Sequence, residues 1–161
     1  MAREDASLAA IEEVYRRRYP SFLRVAVAIV GDREQAHDAV QEAFARAIRG
    51  RDEYRSESGL DSWIWATVLN VCRDIRRRSR PEPAIAATPA ATNGHVEPWP
   101  ELRAAIAELP ERQRHALFLR HYADLDYESI AAVLGVERGT VAATLHAAHA
   151  SLRTMVEEVA R

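Results

Sequence analysis

The sequence has little cysteine and no long apolar run, and each absence excludes a class of protein. Its 161 residues include a single cysteine, Cys72, which excludes an internal disulfide and a zinc site made of several thiolates. No stretch approaches the run of about 18 apolar residues that a membrane span needs. The first residues, MAREDASLAA, lack the apolar segment of a secretory signal. We therefore expect a cytoplasmic protein without membrane insertion.

Lysine is also absent, so all 22 basic residues are arginine, against 24 acidic residues. The resulting net charge of −2 is unevenly distributed along the chain. Residues 1–80 carry 15 arginines against 13 acids, whereas residues 81–161 carry 7 against 11. An overall basic surface, the usual mark of a nucleic-acid-binding domain, is therefore missing. Any DNA binding must come from a local patch or depend on a partner.

Signatures of catalysis and of bound cofactors are missing as well. We find neither a glycine-rich phosphate loop nor a pattern of nucleophile and base. His146 and His149 have the i, i+3 spacing of a helix face, but no third ligand accompanies them, so we predict no metal site. Cys72 lies within a predicted helix, which favours a small buried side chain over a redox sensor. The sequence predicts a protein that is not an enzyme and has no cofactor.

A segment rich in proline and alanine divides the chain. Residues 79–100, SRPEPAIAATPAATNGHVEPWP, hold five of the seven prolines and no sustained apolar period. We expect a flexible linker over 81–97 between two domains, 1–80 and 98–161. No stretch alternates with a period of two for long enough to predict a strand, so the predicted fold class is all-α.

Apolar spacing and capping residues predict helices in both domains. Pro20 is placed in the first turn of its own helix, which Gly31 ends, and Asp32 caps the next one. In the second domain Pro110 opens a helix whose inner side includes Tyr122. On the final helix the apolar face extends to Val156. The predicted helices are 6–19, 20–30, 33–49, 60–78, 99–109, 111–122, 127–134 and 138–159.

A short helix, a glycine turn at Gly135 and a longer helix form a helix-turn-helix pattern over 127–152. Ile130 is placed to pack on Val141 and Leu145, which fixes the second helix across the first. In such a unit the second helix enters the major groove and its first residues contact base edges. The alternative is a plain helical hairpin, but the glycine turn and the apolar spacing favour the DNA-binding unit.

Aromatic and basic residues are combined in residues 54–80, where arginines follow Trp63 and Trp65. Aromatic faces stack on unpaired bases and arginines hold the backbone, so this pattern suits strand-separated DNA. The alternative is a tryptophan pair in the core of a helical domain, followed by a solvated basic end. The two rings cannot both face inward from one helix, so one of them is available for other contacts.

Three segments carry motifs in a fixed order. Residues 38–44 are DAVQEAF, and residues 54–65 are YRSESGLDSWIW, followed by Asn70, Asp74 and Arg77. The second domain contains LPERQR at 109–114, YESIAAVLGV at 127–136 and GTV at 139–141. In this order the motifs resemble the core-binding, promoter-melting and C-terminal segments of the extracytoplasmic-function group of sigma-70-type initiation factors. The resemblance covers both domains, with a linker in the expected place.

The resemblance implies a role for each part. Residues 1–80 would form sigma domain 2, and residues 98–161 sigma domain 4. Domain 2 would bind the clamp helices of the largest subunit of core RNA polymerase through Asp38, Val40, Gln41, Glu42 and Phe44. It would hold a flipped base of the −10 element through Arg55, Ser58, Trp63, Trp65, Asn70, Arg73, Arg76 and Arg77. Domain 4 would contact the polymerase flap, and promoter DNA at the −35 element through Arg138, Gly139, Thr140, Ala142, Ala143, Thr144 and His146. An anti-sigma factor is a further expected partner.

The recognition helix departs from the family pattern. Positions that are usually basic or polar carry Ala142, Thr144, Ala147 and His149. Asp61 and Ala66 also lie where the family often has basic residues. We therefore expect weakened recognition of the −35 element. One alternative is a sigma-like adaptor that binds polymerase or an anti-sigma partner without selecting promoters. Another is a stand-alone helix-turn-helix regulator, against which the acidic second domain argues.

Overall fold

In a computed structural model of the chain, the residues described are 6–55, 57–79 and 99–161. They form helices and no strand, which confirms the predicted all-α fold class, and none of these helices is long and apolar enough to cross a membrane. The chain divides into two compact units, Met1–Pro89 and Ala90–Arg161. The predicted linker over 81–97 lies outside the described residues. The helices are α1 (Leu8–Val30), α2 (Arg33–Gly50), α3 (Leu60–Arg78), α4 (Pro100–Glu108), α5 (Glu111–His121), α6 (Tyr127–Leu134) and α7 (Arg138–Val159), with a 3-10 turn at Arg51–Glu53.

Helix α1 continues through Pro20, so the prediction of separate helices over 6–19 and 20–30 is wrong. A proline inside a helix removes one backbone hydrogen bond and costs about 3 kcal/mol. Here α1 buries apolar side chains on both sides of the proline, including Phe22, and this shared packing offsets the cost. The end of the helix agrees with the prediction, because Gly31 adopts the left-handed conformation with a φ of 81°.

Helices α1, α2 and α3 pack against one another in the first unit. The largest side chains that this packing encloses include Phe22, Ile64 and Trp65. Asp32 caps α2 as predicted, since its carboxylate accepts a hydrogen bond of 2.8 Å from the backbone N–H of Gln35. Small side chains on α2 allow the neighbouring helices to approach closely. The fully buried alanines are Ala36, Ala39, Ala43 and Ala47.

In the second unit, α7 packs against α4, α5 and α6. Helix α6 ends at Gly135, which has a φ of 66°, and α7 begins at Arg138. The structure therefore contains the predicted succession of short helix, glycine turn and longer helix. Ile130, Val141 and Leu145 are buried, as the apolar spacing predicted.

Two predicted core positions of the second unit are wrong. Tyr122 follows the last residue of α5 and is 40% exposed, although its ring stacks on that of Phe118. Val156 is also 40% exposed. The buried residues of α7 end at Ala148, so the last turns of this helix contribute little to the core.

Candidate nucleic-acid and protein interfaces

The two tryptophans of α3 occupy different environments. Trp65 is 1% exposed, and its ring lies 4.3 Å from that of Phe22 in the core of the first unit. Trp63 is half-buried, with its ring 5.1 Å from that of Tyr54. The prediction that only one ring faces inward is confirmed. The prediction that Trp65 contacts DNA is corrected, because the core encloses the ring face that a base would need.

Basic side chains gather at the C-terminal end of α3, where the helix dipole favours cations. Arg76 and Arg77 are exposed, Arg73 is half-buried, and Asn70 is exposed two turns before Arg77. Arg76 also donates from Nη1 to the backbone carbonyl of Ile29, at 3.3 Å. This arginine therefore also helps to hold the end of α1 against α3.

The loop before α3 carries the two remaining residues predicted to contact the −10 element. Arg55 and Ser58 are both exposed. The guanidinium of Arg55 folds back on its own loop, where Nη1 donates to the carbonyls of Asp52 at 3.1 Å and Tyr54 at 2.7 Å. A guanidinium has five N–H donors, so this arrangement leaves donors that can bind a phosphate.

The predicted polymerase-binding residues of α2 fall into two groups. Asp38 and Gln41 are exposed, and Glu42 is half-buried. Val40 and Phe44 are only 0% and 5% exposed, since both pack into the core. The prediction of direct polymerase contact by these two side chains is corrected. They support the outer surface of α2 from beneath.

The polar groups of this surface are held by specific partners. The carboxylate of Glu42 accepts from Arg46 Nε at 2.8 Å and from Arg49 Nη2 at 3.4 Å. The hydrogen bond from Arg46 is the main cause that lowers the pKa of Glu42. Gln41 donates from Nε2 to the hydroxyl of Tyr15 at 2.9 Å. The surface thus presents an oriented amide and ion pairs, which suit a polar partner surface of mixed charge.

None of the seven residues predicted to contact the −35 element is buried. Val141, Leu145 and Ala148 form the buried side. Arg138 is the one arginine among the seven, and its Cζ lies 5.9 Å from the centroid of the Tyr127 ring. The exposed residues are Arg138, Gly139, Ala142, Ala143 and His146, and the half-buried ones are Thr140 and Thr144.

The sequence analysis missed Arg120, which reaches the same tyrosine from α5. Its Cζ lies 5.9 Å from the centroid of the Tyr127 ring, and its Nη1 donates to the carbonyl of Leu125 at 3.1 Å. Two arginines, Arg120 and Arg138, therefore lie beside Tyr127. No linear motif signals this arrangement, because the two are brought together only when α5, α6 and α7 pack.

Cys72 lies in the core, at 0% exposure, on the inner side of α3. Burial raises the pKa of its thiol to about 12. A thiol with such a pKa is neutral at pH 7 and chemically inert. Among the residues that the structure describes, no group of three or more His, Cys, Asp or Glu side chains is placed to hold a metal ion.

Known protein families match segments in both units of the chain. Residues 14–82 match the family model for sigma-70 region 2, and residues 100–152 match that for sigma-70 region 4. The chain is 30% identical over 146 residues to the ECF RNA polymerase sigma factor EcfG of Rhodopseudomonas palustris, covering 85% of this chain and 80% of the relative. It is 32% identical over 154 residues to the RNA polymerase sigma-E factor of Streptomyces antibioticus, covering 91% and 84%.

Solved structures show the same fold. The sigma factor RpoE from Bartonella quintana, in complex with the anti-sigma factor NepR, matches with a TM-score of 0.68 at 20% identity, over 93% of this chain and 98% of that one. CnrH, in complex with the cytosolic domain of CnrY, matches with a TM-score of 0.71 at 18% identity, over 94% and 90%.

The family models and relatives define an RNA polymerase sigma factor of the sigma-70 type. The chain belongs to the extracytoplasmic-function (ECF) group of these factors. Members of the group bind core RNA polymerase and direct it to promoter DNA, which confirms the function that the motifs predicted.

Proposed function

We propose that this sigma factor selects promoters chiefly through the −10 surface of residues 1–80 and that its contribution at the −35 element is weak. In this assignment residues 1–80 act as sigma domain 2 and residues 98–161 as sigma domain 4. The observation that carries the proposal is the contrast between two exposed helix surfaces. Helix α3 presents part of the Trp63 ring in its first turn and exposed arginines in its last turn, whereas the outer side of α7 presents Ala142 and Ala143.

The −10 surface has the parts needed to hold an unpaired base. Trp63 rests against Tyr54 with part of its ring accessible, and Arg77 and Asn70 are exposed on the same helix. Stacking on an aromatic ring is worth about 1–3 kcal/mol per base, which is comparable to the few kcal/mol that flipping costs. Trp63 would therefore stack on the flipped base while Arg77 holds the phosphate backbone.

The recognition helix offers few groups for specific or non-specific contacts. Each phosphate contact contributes about −0.9 to the slope of log affinity against log salt, and each bidentate base contact about 1–3 kcal/mol. Of the seven candidates on α7, only Arg138 carries a permanent positive charge. Residues 98–161 also carry 7 arginines against 9 acids. The exposed alanines can still touch thymine methyl groups, so a residual preference is expected.

The protein partners follow from the surface of α2 and from the relatives. Asp38, Gln41 and Glu42 would bind the clamp helices of the largest polymerase subunit, and domain 4 would bind the flap. The structural relative from Bartonella quintana was solved with an anti-sigma factor, which supports a partner of that class for this chain. We propose further that the chain acts in the cytoplasm, where polymerase is found, and that it is not itself an enzyme.

Transcription in vitro from fragmented host DNA tests the proposal directly. Core polymerase is incubated with and without the chain, and the 5′ ends of the RNA are mapped. New starts that share a −10 motif and only a weak −35 preference are expected. A strong −35 motif would overturn the proposal that promoters are selected chiefly at the −10 element. Polymerase binding without any new start would favour the adaptor that binds polymerase but does not select promoters.

A further inference from the structure

His121 and His149 approach each other in the second unit. His121 is the last residue of α5, and His149 lies in the middle of α7. Their Nε2 atoms are 3.2 Å apart, and the ring centroids are 5.5 Å apart with an interplanar angle of 73°. Both side chains are exposed at the surface. The pair therefore lies at the surface of the second unit.

The distance between the two Nε2 atoms falls in the range expected for two nitrogens bound to one metal ion. Metal–nitrogen bonds of about 2.0–2.1 Å that meet at about 90–110° place the two nitrogens about 2.9–3.4 Å apart. A direct N–H···N hydrogen bond accounts for the same distance in the empty pair, and the two Nε2 atoms point almost directly at each other. Both rings must therefore turn before their lone pairs can point to one ion.

The surroundings favour the form of histidine that binds metals. Burial, and then the charges of His149 and Arg120, lower the pKa of His121, while the charge of Asp124 acts in the opposite direction. The neutral imidazole is the form that binds metal ions. The negative charge of Asp124 also partly balances an added cation.

We infer that His121 and His149 form a two-imidazole binding site for a divalent transition metal ion such as Cu²⁺, Ni²⁺ or Zn²⁺. Imidazole suits these ions, whereas Mg²⁺ and Ca²⁺ prefer oxygen ligands. Water fills the remaining coordination positions, since no group of three or more ligating side chains occurs within the described ranges. A site of this kind is open and exchangeable, unlike a closed structural zinc site. The bound ion would tie the end of α5 to α7, the helix that carries the −35 candidates.

Calorimetric titration of the untagged full-length chain with CuCl₂, NiCl₂ and ZnCl₂ tests this site. We expect one ion per chain, with the tightest binding for Cu²⁺. His121→Ala and His149→Ala should each weaken the affinity about tenfold or more. The matched control is His146→Ala, which removes another exposed histidine of α7 and should keep the affinity within about twofold.

Two further measurements keep the test decisive. Circular dichroism is expected to show that each variant keeps its helices, because the replaced side chains are exposed. Electron paramagnetic resonance of the Cu²⁺ complex should report two imidazole nitrogens in the parent chain and one in His149→Ala. Equal affinity in the parent, His121→Ala and His149→Ala would overturn the proposal, as would a loss caused by His146→Ala alone. Because neither polymerase nor DNA is present, the outcome is independent of the proposed promoter selection.

Discussion

Nη2 of Arg17 on α1 lies 2.9 and 3.0 Å from the two carboxylate oxygens of Asp61 on α3. Arg18 adds a contact of 3.4 Å between its Nε and the same carboxylate. Asp61 precedes Trp63 by two residues, at a position where ECF sigma factors often have a basic residue. The acid therefore does not stand alone beside the proposed −10 surface, because two arginines of another helix neutralise it.

Asp61→Asn should increase the affinity of the holoenzyme for promoter DNA. The substitution releases two arginines from a neutralising partner, so we expect binding about threefold to tenfold tighter and a salt slope more negative by up to about 1. The free energy of unfolding should change by less than about 1 kcal/mol, since the pair is partly exposed. Fluorescence anisotropy with a labelled promoter fragment over a series of salt concentrations measures the promoter affinity and its salt slope. Glu12→Gln, which breaks the exposed pair with Arg16, is the matched control. An unchanged slope would mean that Arg17 and Arg18 do not approach DNA.

The two tryptophans of α3 should separate stability from promoter opening. Trp65→Ala removes a core ring and should lower the free energy of unfolding by about 3–5 kcal/mol. Trp63→Ala should lower it by only about 1–2 kcal/mol, because that ring is half-buried. Urea denaturation followed by circular dichroism compares the two variants.

Among variants that remain folded, promoter opening should depend more on Trp63 than on Trp65. Trp63→Ala should reduce open-complex formation about tenfold through lost stacking, and Trp63→Phe should restore most of it. Permanganate reactivity of unpaired thymines measures the open complex. Full opening by Trp63→Ala would contradict the proposed stacking role.

Gln41→Ala should weaken the affinity for core polymerase about tenfold, since an oriented amide is lost from the surface of α2. Gln35→Ala is a close control, because it makes the same change at an exposed position of the same helix. Titration of a labelled chain with core polymerase, followed by anisotropy, gives both affinities. If the two variants bound equally well, the contact surface would have to lie elsewhere.

A single arginine on the recognition helix should restore contacts with promoter DNA. Ala142→Arg places a cation on the exposed side of α7, and we expect promoter affinity to rise several-fold, with a salt slope more negative by about 0.9. Ala150→Arg adds the same charge two turns further along α7, at another exposed position, and should have a smaller effect. Equal gains from both variants would indicate a non-specific charge effect.

Cys72 should resist thiol reagents in the folded chain. Because its thiol is fully buried and has a pKa of about 12, the reactive thiolate is scarce at any pH between 7 and 9. Reaction with a disulfide reagent should therefore be at least about a hundredfold slower than in urea, where the exposed thiol has a pKa of about 8.5. Its rate should rise about tenfold per pH unit throughout this range, whereas that of an exposed thiol levels off as the pH passes its pKa. Rapid labelling of the native chain would show that α3 opens readily.

Much of the local structure follows from the sequence because it depends on neighbouring residues. Gly31 and Gly135 end α1 and α6 in the left-handed conformation that glycine adopts at low cost. Asp32 caps the start of α2, and Asp126 caps the start of α6. The helix-turn-helix spacing and the family motifs are likewise visible in the linear order of residues. These features define the fold class and the family without reference to distant contacts.

The tertiary structure decided what depends on packing between distant segments. Only the assembled core shows that α1 passes through Pro20, and that Trp65, not Trp63, is the enclosed ring. The sequence does not show that Val40 and Phe44 are buried. A family motif does not distinguish residues that touch a partner from residues that support them.

Contacts between helices show the same limit. The pairing of Asp61 with Arg17 joins residues 44 positions apart, and that of His121 with His149 joins residues 28 positions apart. Local propensity and periodicity assign each residue to a helix and to one of its faces. Which faces meet depends on how the helices pack, because burial of the apolar side chains sets the angle and register between helices.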